Sequence, residues 1–143
     1  IVGGSILSHD HYQAGRHNFP MAKAKVLKTF DLSDYPNISC GIVNWPMSVI
    51  RLSSLNKEEL INASTYIHES WKNYSDEFLQ IRAQSKGGTK HHTITPIVRR
   101  REEKYEIDLV LRDNNVDEKY PDGIFHPHPD VQHIKKENIG LIE

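Results

Sequence analysis

Leu55-Asn56-Lys57-Glu58-Glu59-Leu60 is the stretch from which the fold is read. Asn56 is a favourable N-cap, Glu59 three residues later completes a capping-box pattern, and Leu55 and Leu60 occupy the two positions of a hydrophobic staple. Beyond it Leu60, Ala63, Ile67, Trp71, Tyr74, Phe78 and Ile81 recur every three or four residues. That spacing predicts one helix over residues 57–82 with a single apolar stripe, in which Trp71, Tyr74 and Phe78 are core. A helix with one apolar stripe has to bury it, most economically on a sheet. Ser85-Lys86-Gly87-Gly88-Thr89 ends the helix.

The flanks supply the sheet. Residues 92–98 and 104–112 read as two strands, joined by Arg99-Arg100-Arg101-Glu102-Glu103 as a solvated turn whose glutamates neutralise its arginines. Residues 38–52 are rich in β-branched side chains around Trp45-Pro46. Proline cannot donate to a ladder, so this strand is expected at an edge or bulged at Pro46. Residues 22–30 alternate only roughly, residues 31–37 form a loop, and residues 1–7, with Gly3-Gly4, run extended into Ser8-His9-Asp10-His11-Tyr12-Gln13. The expected fold is α+β, an antiparallel sheet with a long helix on one face, in a single domain over residues 1–143.

Composition agrees with one folded domain and excludes several functions. The chain has 143 residues, 37% hydrophobic and 26% charged, enough for one core and too few for two. Its apolar runs fall far short of the roughly 20 residues that cross a bilayer. With 18 basic and 19 acidic residues, no overall field attracts nucleic acid. Cys40 is the one cysteine, so there is no internal disulfide and no thiolate cluster; it reads as a small apolar residue in a reducing cytoplasm. Ile1 is not an initiator methionine and Asn138-Ile139-Gly140-Leu141-Ile142-Glu143 stops in mid-pattern, so the chain reads as an excerpt of a larger protein.

The chemical signal is histidine. Of nine histidines, six fall in two short segments: His9, His11 and His17, then His126, His128 and His133. On an extended strand Ser5, Leu7, His9, His11 and Gln13 share one face. An imidazole whose ordinary pKa is near ~6.5 is largely neutral at pH 7 and attacks without prior deprotonation. On a phosphate ester it would form a phosphoramidate, with the Gln13 amide donating to a phosphate oxygen as charge shifts. Arg16 and His17 add positive charge. From the pattern alone, metal ligation, catalysis and plain surface histidines divide His9 and His11 about equally. The second segment is held extended by Pro127 and Pro129; with His126, His128, Lys135 and Lys136 it suits a phosphate or sugar-phosphate anion, against the plainer reading of a rigid surface loop. His68, His91 and His92 carry no assigned role.

Residues 1–17, Asn44-Trp45-Pro46-Met47-Ser48-Val49-Ile50-Arg51-Leu52 and residues 123–143 together resemble the class II galactose-1-phosphate uridylyltransferases. These are related to histidine-triad-like transferases whose class I members carry His-Pro-His-x-Gln where this chain has His9-Asp10-His11-Tyr12-Gln13. The resemblance implies a histidine-triad-like sheet and a ping-pong exchange of UMP between UDP-glucose and galactose-1-phosphate in the Leloir pathway of galactose metabolism. His11 would be the uridylylated nucleophile and Gln13 the phosphate partner. Ser5 or Ser8 would stand for a phosphate-contacting serine, and Arg16, His17, His126, His128, Lys135 and Lys136 would bind the sugar phosphates. His9 matches a zinc-ligand position, but the cysteine pair is missing, and Asp108 and Val110 stand where class I places a second His-x-His. A homodimer is among the assemblies the resemblance allows, and the isolated excerpt is expected to be inactive. Two rival readings remain: a histidine-triad-type nucleotide hydrolase or phosphorylase, and a non-enzymatic metal-binding scaffold on His9 and His11.

Overall fold

A computed structural model describes Tyr12 and residues 14–126. The chain divides into two compact units, Ile1–Ala24 with Pro127–Glu143, and Lys25–His126. In the described part of the first unit, Pro20–Lys23 form a single helical turn, α1, opened by Pro20. Proline suits that position because its missing N–H has no partner in a first turn and its φ is already helical.

The second unit is α+β. Its strands are β1 (Val26–Phe30), β2 (Ser39–Val43), β3 (Val49–Ser54), β4 (His92–Arg101) and β5 (Lys104–Asp113), and its helix is α2 (Lys57–Asn73). The strands form one antiparallel sheet in the order β1-β2-β3-β5-β4. β1, β2 and β3 are a meander, α2 crosses the sheet, and the β4–β5 hairpin enters with β5 against β3. A bulge between Val26 and Lys28 lets β1 lie close over β2: a Cβ added to Gly41 would stand 2.5 Å from a Val26 methyl. Pro96 costs no ladder bond in the interior because β4 is an edge, and there it blunts pairing with further strands.

α2 starts where its sequence predicts. Asn56 Oδ1 accepts from the Glu58 and Glu59 amides at 3.0 and 3.2 Å. The reciprocal arm of the box is taken by Ser54, whose Oγ accepts from the Asn56 amide at 3.1 Å. Leu60 is buried, but Leu55 is 66% exposed and makes no staple. Leu60, Ala63 and Ile67 enter the core with Ile38, Cys40, Leu52 and Leu109.

Four expectations are corrected. The helix ends at Asn73, not at residue 82. Asn73, Ser75 and Asp76 fall within four residues there, and each uses its side chain on backbone: Asn73 Nδ2 donates to Glu69 O, Ser75 Oγ accepts from the Ala83 amide, and Asp76 Oδ1 accepts from the Leu79 amide. Such residues offer the chain an alternative to helix. Tyr74 is extended, and Asp76 and Ile81 pair their backbones reciprocally at 2.9 Å. The stripe therefore breaks after Trp71, and Phe78, expected in the core, is 93% exposed. Pro46 lies neither at an edge nor in a bulge: residues 38–52 hold two strands, and Trp45-Pro46 belongs to the connection between β2 and β3. Arg99-Arg100-Arg101 is strand, not turn; the hairpin closes on Glu102 and Glu103 alone, with Glu102 at φ 54°.

Candidate functional site

Ser5, Ser8, His9, His11, Gln13, His128, Lys135 and Lys136 lie outside the described residues. Of the remaining candidates, Arg16 and His17 are exposed in the first unit, where the His17 ring meets the Phe19 ring edge-on at 4.7 Å between centroids. His126 is exposed in the second unit, its amide donating to Gly123 O at 3.2 Å. The tight turn there depends on Gly123 at φ 128°.

The strongest polar constellation among the described residues is one the sequence reading missed. On the sheet face away from α2, register places Arg51 of β3 beside Asp108 of β5, and Arg99 of β4 beside Glu106. Arg51 grips Asp108 with two bonds, Nε to Oδ1 and Nη2 to Oδ2, both 2.7 Å. Arg99 Nη1 donates to Asp108 Oδ2 at 2.7 Å and to Glu106 Oε1 at 2.9 Å. Arg101 closes the row on Glu106, Nε to Oε2 at 2.8 Å and Nη2 to Oε1 at 2.9 Å. Asp108, Glu106 and Arg51 are all buried. The planar guanidinium fork is what permits two-point pairing with each carboxylate.

Electrostatics favour the charged forms of Glu106, Arg99 and Arg101. Burial pushes the Glu106 carboxyl up, but hydrogen bonds from Arg101 and Arg99 and the charge of Arg51 outweigh it and hold the group below the ordinary carboxylate range. Burial lowers the Arg99 guanidinium, and its bonds to Asp108 and Glu106 more than restore it; Arg101 is raised by its bond to Glu106. Glu106, Arg99 and Arg101 are thus fixed charges near neutral pH, able to orient or attract but not to act as acid or base. A signal was present in the sequence: Arg99-x-Arg101 and Glu106-x-Asp108 face each other whenever the hairpin turn is two residues long.

Around the end of α2, Trp71 Nε1 donates to both Thr93 O and Arg112 O at 3.2 Å, and its ring stacks on His92 at 4.0 Å and 8°. His92 Nδ1 is 2.7 Å from Trp71 O and Nε2 is 3.4 Å from Asp113 Oδ2, so each ring nitrogen faces an oxygen. His91 Nε2 is 2.6 Å from Ser85 Oγ. These buried histidines tie the helix end and the following loop to the sheet. Burial, followed by the charge of Asp31, raises the Cys40 thiol, which matches its reading as a small apolar residue.

No group of three or more metal-ligating side chains occurs among the described residues. Asp108 is spent on Arg51 and Arg99. No described helix is long and apolar enough to cross a membrane.

Residues 2–143 match the family described as Galactose-1-phosphate uridyl transferase, C-terminal domain. The chain belongs to that family. Among its relatives, proteins named galactose-1-phosphate uridylyltransferase from Lactococcus lactis subsp. cremoris (strain SK11), Enterococcus faecalis and Staphylococcus saprophyticus are 68%, 67% and 60% identical over all 143 residues. The chain spans 29% of the length of those relatives. No solved structure matches it.

Proposed function

We propose that the chain is the central to C-terminal section of a UDP-glucose–hexose-1-phosphate uridylyltransferase, with residues 1–143 forming one functional domain. The observation that carries this reading is the match of residues 2–143 to the transferase domain, joined to relatives of that name at up to 68% identity across every position. The five-stranded antiparallel sheet with α2 on one face supports a histidine-triad-like architecture.

In this reading His11 attacks the α-phosphorus of UDP-glucose. A P–N bond forms, the P–O bond to glucose-1-phosphate breaks, and a uridylyl-histidine remains. Galactose-1-phosphate then attacks the same phosphorus through a phosphate oxygen, the P–N bond breaks, and UDP-galactose leaves with His11 restored. Gln13 donates to the transferred phosphate as its charge redistributes, with Ser5 or Ser8 adjacent. Arg16, His17, His126, His128, Lys135 and Lys136 supply charge for sugar phosphates, which by their likeness use one site in turn. Stabilisation by position and charge is spread over several groups, so losing the nucleophile outweighs losing any one cation. A cytoplasmic homodimer acting in galactose metabolism is the setting.

The test uses the full-length protein and UDP-glucose labelled in the uracil ring. The parent protein becomes labelled and releases one equivalent of glucose-1-phosphate, while His11→Asn takes no label and makes no UDP-galactose. Label retained by His11→Asn removes the assigned role. Steady release of UMP without galactose-1-phosphate would make the protein a hydrolase instead.

A further inference from the structure

Several serine hydroxyls of this fold serve the backbone. Ser64 and Ser70 donate to the Leu60 and Tyr66 carbonyls at 2.7 and 2.8 Å, and Ser54 and Ser75 accept from the Asn56 and Ala83 amides at 3.1 and 3.0 Å. Ser85 is bonded differently, with its Oγ 2.6 Å from His91 Nε2. A backbone carbonyl or amide does not take up a serine proton near neutral pH, whereas an imidazole nitrogen with a free lone pair does. A hydroxyl and an imidazole at this separation have the spacing of a nucleophile and its general base.

Both members of the pair are held in place. His91 is buried, its amide donates to Ala83 O at 3.0 Å, and its carbonyl accepts from Asn114 N and Nδ2 at 3.0 and 3.2 Å. Ser85 opens the turn over residues 85–89, where its amide donates to Thr89 O and its carbonyl accepts from the Gly88 amide, each at 2.9 Å. Gly88 stands at φ 86°, which glycine adopts without steric cost. Ser85 is exposed, and a Cβ added to Gly87 would meet nothing within 4 Å, so the turn is open to an incoming molecule. The base is thus shielded and fixed while the hydroxyl is reachable, an orientation that a freely rotating surface serine lacks.

We propose that Ser85 is an acyl-acceptor site, with His91 as its general base and an activated carboxylic ester as the donor. With the ring proton of His91 on Nδ1, the Ser85 hydroxyl donates to Nε2. Oγ attacks the ester carbonyl carbon, an O–C bond forms, and the hydroxyl proton passes to Nε2. The bond from that carbon to the leaving oxygen then breaks, the proton on Nε2 goes to the leaving alkoxide, and an O-acyl-serine and a free alcohol remain. No uridylyl group takes part, so the site is independent of uridylyl transfer.

The probe is p-nitrophenyl acetate, whose leaving group departs as a coloured phenolate and gives the Nε2 proton to water. In the 143-residue chain, peptide mass spectrometry should find Ser85 acetylated about a hundredfold faster than Ser70 and Ser75, which are also exposed but bonded to backbone. Hydroxylamine should remove that acetyl group, because it is an ester, and leave any amide on Lys86 or Lys90 in place. Ser85→Ala should lose the fast phase of phenolate release. His91→Gln, with circular dichroism matching the parent, should slow Ser85 to the rate of Ser70. The comparison of Ser85 with Ser70 and Ser75 within the parent chain decides the matter even where His91→Gln fails to fold. Acetylation of Ser85 no faster than that of Ser70 and Ser75 overturns the proposal. So does a fast phase that survives Ser85→Ala, or a folded His91→Gln that keeps the parent rate at Ser85.

Discussion

The two faces of the sheet use the same strands and are held by opposite means. Toward α2, Leu52, Leu109 and Cys40 pack on Leu60, Ala63 and Ile67, an apolar layer in which each methylene contributes separately. On the reverse, one residue along each strand, Arg51, Asp108, Arg99, Glu106 and Arg101 form a row in which each carboxylate is shared among guanidiniums. An apolar layer weakens in proportion to volume lost; a buried charged row fails as a unit, because removing one member leaves the desolvation of its partners uncompensated.

The largest effect that would test this difference is at Asp108. Asp108→Ala takes the shared carboxylate from Arg51 and Arg99 and should cost about 4 kcal/mol in urea unfolding of the 143-residue chain. A cost below about 1 kcal/mol would show that the row is not a unit. On the other face Leu52→Ala should cost about 3 kcal/mol, and Leu52→Met less than half of that, since volume is kept. A cap, where only one end of one helix is at stake, ranks lower: Asn56→Ala should cost about 1 kcal/mol by the same measurement.

Acid distinguishes the faces without mutation. Glu106 has a folded pKa below its unfolded one, so its contribution is complete above the unfolded value of ~4.3 and is lost as pH falls through the folded value. Unfolding free energy should therefore decline below about pH 4.3, and Glu106→Gln should flatten that decline. An identical slope in the variant would transfer the effect to other carboxylates. The smallest expected change is a gain: Glu102 holds φ 54° in the hairpin turn, and Glu102→Gly should add about 0.5 kcal/mol by relieving it.

Much of this architecture was readable along the chain. The N-cap at Asn56 and the stripe through Leu60, Ala63 and Ile67 are local features, and they appear where the spacing puts them. The hairpin strands were also legible, though three residues too short at Arg99–Arg101 because clustered charge resembles a turn. The helix end was misread because Tyr74, Phe78 and Ile81 keep helical spacing by coincidence, while Asn73, Ser75 and Asp76 divert the backbone. Of the expected site, Arg16, His17 and His126 are placed on the surface of their own units, and the remaining candidates lie outside the described residues. The charged row escaped because its members are separated by up to 57 positions and meet only through strand register.

Period, capping and composition are properties of neighbours in the chain, so the residues alone dictated an α+β unit, its helix start, the presence of its last two strands and the family to which it belongs. Which carboxylate answers which guanidinium, and that Phe78 faces solvent, are properties of neighbours in space. Those depended on how β3, β5 and β4 align, because register turns alternate residues into opposite faces and brings distant charges within bonding distance.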